Sequence, residues 1–63
     1  MDESALPKLG AKLRYHRRMR GMTLQEVARA AQCSESMVSK IETARVNPSL
    51  TMLSRLAAAL EVN

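Results

Sequence analysis

The sequence has no Phe and no Trp, and its single Tyr is Tyr15. It therefore lacks the aromatic platforms on which single-stranded nucleic acids stack. Cys33 is the only cysteine, so no disulfide can form within the chain, and no set of Cys and His residues has metal-ligand spacing. No cofactor or metal is expected, and a reducing, cytoplasmic location fits. No apolar run is long enough to span a bilayer, and the start Met1-Asp2-Glu3-Ser4 is acidic where a secretory signal is basic. A soluble protein with no membrane partner follows. One His, one Cys and no convergent carboxylates offer no triad, metal site or phosphate-cradling loop, so an enzyme is not expected. Without internal repeat, low-complexity tract or linker, the 63 residues (1–63) make one domain, near the lower size limit for a single unstapled core.

What the chain does have is positive charge. Ten Lys and Arg against six Asp and Glu give a formal charge of +4. Lys8, Lys12, Arg14, Arg17, Arg18 and Arg20 fall in one stretch that contains no acid. Such a stretch suits a polyanionic partner, and it equally suits an ordinary solvated face. If the partner is a nucleic acid, the lack of aromatics favours duplex DNA.

The apolar residues recur at helical spacing throughout, which predicts an all-α chain with helices over about 6–20, 24–31, 35–43 and 50–60. Pro7 suits a first helical turn, Leu6, Leu9, Leu13 and His16 line one stripe, and Gly21 ends the helix. Thr23-Leu24-Gln25-Glu26 is a capping box opening the second helix. Ser39-Lys40-Ile41-Glu42 has the same pattern, but only the first instance follows a break and opens an apolar repeat. Ser34 suits the N-cap of a third helix, Thr43 to Pro48 reads as a loop, and Ser49 caps a fourth helix whose Leu50, Leu53, Leu56, Ala57 and Leu60 face inward.

Two short helices joined by so tight a turn must cross steeply with a small residue between them, and Ala28 supplies it. A helical wheel at about 100° per residue turns Ser34, Val38, Ile41 and Glu42 of the third helix inward and Ser36, Ser39, Lys40 and Thr43 outward. Short hydroxyls beside one long cation suit a major groove. An ordinary solvated helix face has the same composition.

At this point the residues resemble the Cro/repressor helix-turn-helix family, often called the XRE family. The likeness runs from Leu9-Gly10 and Leu13-Arg14 through Arg20-Gly21-Met22-Thr23, Glu26-Val27-Ala28, Ser34, Ser36, Val38-Ser39, Ile41-Glu42 and Arg45 to Asn47-Pro48-Ser49-Leu50, Leu53 and Leu56-Ala57. It implies a compact, lambda-repressor-like domain of four to five helices whose third helix enters the major groove. It also implies base-facing or adjacent roles for Ser34, Glu35, Ser36 and Lys40, to which the wheel adds Ser39. Phosphate contacts are implied for Thr23, Thr43 and Arg45. Leu24 stands where many members carry a phosphate-contacting Gln, so Gln25 is a candidate for that role. Arg17 and Glu42 match a pair that braces the first helix against the third.

Where relatives often have Gly, this chain has Gln32, Ala44 and Glu61, which predicts positive φ in at least one of them. His16 replaces a core Leu and reads as a partly buried structural residue. Cys33 reads as a small buried hydrophobe, and Met37 as packing in preference to a thymine-methyl contact. Arg14 and Arg18 read as outward-facing sources of positive potential. The family's fifth helix is almost wholly absent. The end of the sequence is similar to members that continue into a C-terminal sensor domain, frequently a cupin barrel, through which a small-molecule effector would act. The expectation is a sequence-specific DNA-binding transcription regulator, a repressor in function, acting as a homodimer on a pseudo-palindromic operator. The alternative is a protein-interaction module of the same fold, antitoxin-like or coactivator-like, which an exposed apolar patch would favour.

Overall fold

The computed structural model describes the backbone of residues 5–62 and the side chains of residues 8–62. The helices are α1 (Ala5–Met19), α2 (Leu24–Ala31), α3 (Glu35–Glu42) and α4 (Leu50–Leu60), and the described residues include no strand. Leu6 and Pro7, expected in the stripe and first turn of α1, lie outside the described side chains.

Each boundary has a local cause. α1 closes on Gly21, whose φ of 66° lets the N–H of Gly21 and Met22 reach back to the carbonyls of Arg18 and Arg17. At the start of α2 the Thr23 hydroxyl accepts from the Glu26 N–H, while the Glu26 carboxylate accepts from the Thr23 N–H. Ser34 and Ser49 cap α3 and α4 by accepting from the N–H of Met37 and Met52. Gln32, Ala44 and Glu61, with φ of 59°, 62° and 57°, all take the left-handed conformation. The breaks are thus built as glycine turns without glycine.

The core is Leu13 of α1, Val27, Ala28 and Ala31 of α2, Val38 and Ile41 of α3, and Leu56 and Leu60 of α4. α2 packs on both α3 and α4, and α1 closes over α3 and α4. Met37 packs against the core from the rim, as expected. Cys33 is half-buried at that rim instead of fully inside, and His16 is half-buried as well.

Two inward assignments fail. Leu50 is 86% exposed, because the buried stripe of α4 runs through Met52, Leu56, Ala59 and Leu60. Leu50 stands about 120° around the helix from Leu56, off that stripe. Ser34 is exposed, since as N-cap it has an extended backbone and does not follow the helical wheel of α3.

Gly10 sets how closely α1 approaches α3. A Cβ there would lie 2.5 Å from the Ile41 carbonyl oxygen and 2.6 Å from that of Glu42. Only a residue without a side chain fits against the last carbonyls of α3.

Candidate nucleic-acid interface

The outer face of α3 is made by Ser36, Ser39, Lys40 and, at its cap, Thr43. Ser36, Lys40 and Thr43 are exposed, and Ser39 is half-buried. Glu35 begins the helix, exposed, and Val38, Ile41 and Glu42 are buried on the other side. α3 therefore offers a polar strip backed by core.

The brace behind this strip is ionic. Arg17 Nε donates to Glu42 Oε2 at 2.7 Å, Nη2 donates to Oε1 at 3.1 Å, and Nη1 donates to the Met22 carbonyl at 2.9 Å. The Glu42 side chain is 3% exposed and that of Arg17 is 12% exposed. A buried carboxylate with a two-pronged guanidinium partner is well matched in geometry and charge. Hydrogen bonding to Glu42 and its negative charge hold the Arg17 pKa above its ordinary value, against burial, which lowers it. Arg14, expected to face outward, instead brings its Nε to within 3.4 Å of Glu42 Oε1. Arg18 is exposed as expected.

Arg20 was legible only as one more cation. It donates to the Leu60 carbonyl and pairs with Glu61 at 3.2 Å, tying the end of α1 to the end of α4. Arg14, Arg17 and Arg20, half of the basic stretch, thus each face an acid of the chain itself.

The hydroxyl of Thr23 accepts from Glu26, which leaves its proton free, while Thr43 donates to the Ser39 carbonyl at 2.9 Å. The N–H groups of Leu24 and Gln25, at the first positions of α2, have no acceptor within their helix. Gln25 is exposed beside them. In the loop after α3, the N–H groups of Thr43, Ala44 and Arg45 all return to carbonyls of α3. Only the exposed Arg45 side chain offers a cation there. Among the described residues no group of three or more His, Cys, Asp and Glu could hold a metal ion, and no helix is long and apolar enough to cross a membrane.

On the other side of α1, a groove of about 480 Å³ runs between α1 and α4, lined among others by Leu9, Leu13, His16, Leu50, Leu53 and Val62. It shares no residue with the outer face of α3.

A model of the helix-turn-helix domain matches residues 8–63. The chain is 45% identical over 51 residues, or 81% of its length, to the HTH-type transcriptional regulator DdrOP3 of Deinococcus deserti, and it spans 40% of that protein's length. The restriction-modification controller protein C.AhdI of Aeromonas hydrophila has a similar structure, with TM-score 0.92 and 30% identity over 95% of this chain and 91% of that one. The clp gene regulator ClgR of Corynebacterium glutamicum is also similar, with TM-score 0.86 and 35% identity over 90% of this chain and 74% of that one. By this coverage, and in keeping with the resemblance carried by its residues, the chain belongs to the helix-turn-helix domain family.

Proposed function

We propose that the chain is the DNA-reading domain of a transcription regulator, a cytoplasmic repressor that binds a duplex operator and catalyses no reaction. The observation that carries this reading is α3 itself: a capped helix, buried on one side and fixed by Arg17 and Glu42, that presents Ser36, Ser39 and Lys40 outward. In a major groove Lys40 reaches guanine O6 or N7, and the serine hydroxyls donate or accept as the base edge requires. Ser34 and Glu35 stand at the end of α3 that leads into the groove. Ser34 keeps its O–H proton free while its oxygen caps the helix. The open N–H groups at the start of α2, with Thr23 and Gln25, suit one phosphate, and Arg45 suits another. Thr43 contributes only if its hydroxyl turns away from Ser39. The names of the relatives, two regulators and a controller protein, support the regulatory part of the reading.

One observation favours the second reading, a protein-interaction module. The groove between α1 and α4 is apolar, and Leu50 at its rim is largely exposed. Selection from a random duplex pool separates the two. Enrichment of one motif supports DNA reading, and no enrichment leaves the groove as the working surface. On the enriched duplex, Lys40→Ala or Ser36→Ala should change base preference. Arg45→Ala should weaken all duplexes alike and flatten the salt dependence by about one counterion. The reverse pattern overturns the assignment.

A further inference from the structure

Glu42 is shared unequally. Arg17 takes both of its oxygens, at 2.7 and 3.1 Å, while Arg14 approaches one of them at 3.4 Å through Nε. Two guanidiniums against one carboxylate leave a surplus positive charge where α3 ends. The surplus sits on Arg14, whose side chain is 43% exposed and whose remaining fork donors have no partner among the described residues.

Arg14 also borders a shallow surface hollow of about 330 Å³ with Ala11, Tyr15, Arg18, Met19 and Glu42. Tyr15 and Arg18 are exposed, so two guanidiniums and a phenol hydroxyl can all donate into it. The one acid in the hollow is already matched by Arg17. Thr43, Ala44 and Arg45 follow Glu42 in the chain, and the backbone N–H groups of all three return to carbonyls of α3, so an anion beside this first part of the loop depends on side-chain donors. A phosphodiester is an acceptor with a single charge, and a guanidinium fork suits it well.

We infer that Arg14 binds a phosphate of the DNA backbone beside the C-terminal end of α3, with Tyr15 and Arg18 at the edge of the contact. This rests on the DNA-reading function proposed above and adds α1 to the interface. The contact would join the DNA strand to the same carboxylate that fixes the reading helix.

The test compares Arg14→Gln, Arg14→Lys and Arg55→Gln with the unsubstituted chain. Affinity for one selected and one random duplex is measured across a salt series, and each protein is melted. Arg55 is exposed on α4 and does not border the hollow. Arg14→Gln should weaken both duplexes by the same factor, about tenfold. It should also reduce the salt slope by about 0.9, so that between about 50 and 200 mM salt it loses roughly 3–4-fold less affinity than the unsubstituted chain. Its melting temperature should hold, because Arg17 keeps the brace. Arg14→Lys should retain the slope. An unchanged slope in Arg14→Gln, a loss confined to the selected duplex, an equal change in Arg55→Gln, or a fall in melting that accounts for the weakening would each overturn the inference. If the unsubstituted chain binds neither duplex, the DNA-reading proposal falls with it.

Discussion

At the scale of single residues, the Arg17 and Glu42 pair has the most at stake. Removing Glu42 leaves the Arg17 charge largely buried without its partner, and removing Arg17 leaves the buried Glu42 with only the longer contact to Arg14. Such a loss costs about 3 kcal/mol or more when the remaining charge is uncompensated. For so small a domain that approaches the whole margin of stability. A double-mutant cycle by urea unfolding should therefore return a clear coupling energy, and additive single effects would refute the brace. Because the folded pKa of Arg17 is raised, its contribution is complete below the unfolded value and is lost only as pH rises through the folded one. Both lie in strong alkali, so the coupling should be the same at pH 7 and at about pH 10. This pair was legible in the sequence through the family pattern, and Glu42 also through the wheel. The second cation on Glu42 was not, because Arg14 stands about 60° around α1 from Arg17 and its long side chain bends back toward α3. Nor was the bond from Arg20 to the Leu60 carbonyl, which joins positions 40 residues apart through a backbone atom that carries no signature.

At the scale of elements, capping chemistry made the helix starts readable, and the absence of glycine made the ends predictable in kind. Gln32, Ala44 and Glu61 each hold a left-handed backbone, which costs a residue with a Cβ about 1–2 kcal/mol. Gln32→Gly and Ala44→Gly should raise the melting temperature. A gain of 1 kcal/mol corresponds to about 4–8 °C in a domain of this size. No gain in either variant would mean that the added freedom of the unfolded chain cancels the relief. Gly10 works in the opposite sense, since it sits in a helix and is needed for space alone. Gly10→Ala should destabilise by about 1–3 kcal/mol or more, since the atoms it meets are backbone oxygens that cannot turn aside. Denaturant unfolding that left the midpoint unchanged would show that α1 can shift freely. Composition could not reveal this, because a missing Cβ acquires meaning only against the element facing it. Leu50 was misplaced for a related reason: either of two adjacent stripes satisfies the apolar spacing of α4, and only the packed neighbours choose between them.

At the scale of the whole molecule, if α3 reads the groove as proposed, its eight residues limit what one copy can discriminate. A good base contact is worth about 1–3 kcal/mol, too little over a few positions to single out one genomic site. Two copies related by a two-fold axis, with half-site centres about 34–36 Å apart, would meet the requirement. Sedimentation on a selected palindrome should show two chains per duplex. A strictly one-to-one complex, with no second binding event at higher protein concentration, would rule out that arrangement.

The position of Tyr15 has a spectroscopic consequence. It is the chain's one aromatic fluorophore, it is 58% exposed, and it borders the hollow beside Arg14 and Arg18. The core holds Leu, Val, Ile and Ala and no ring. Ultraviolet emission is therefore nearly blind to the loss of the interior and alert to whatever settles on the outer face of α1. Unfolding of this chain calls for circular dichroism, while titration with duplex can be followed by its own unlabelled tyrosine.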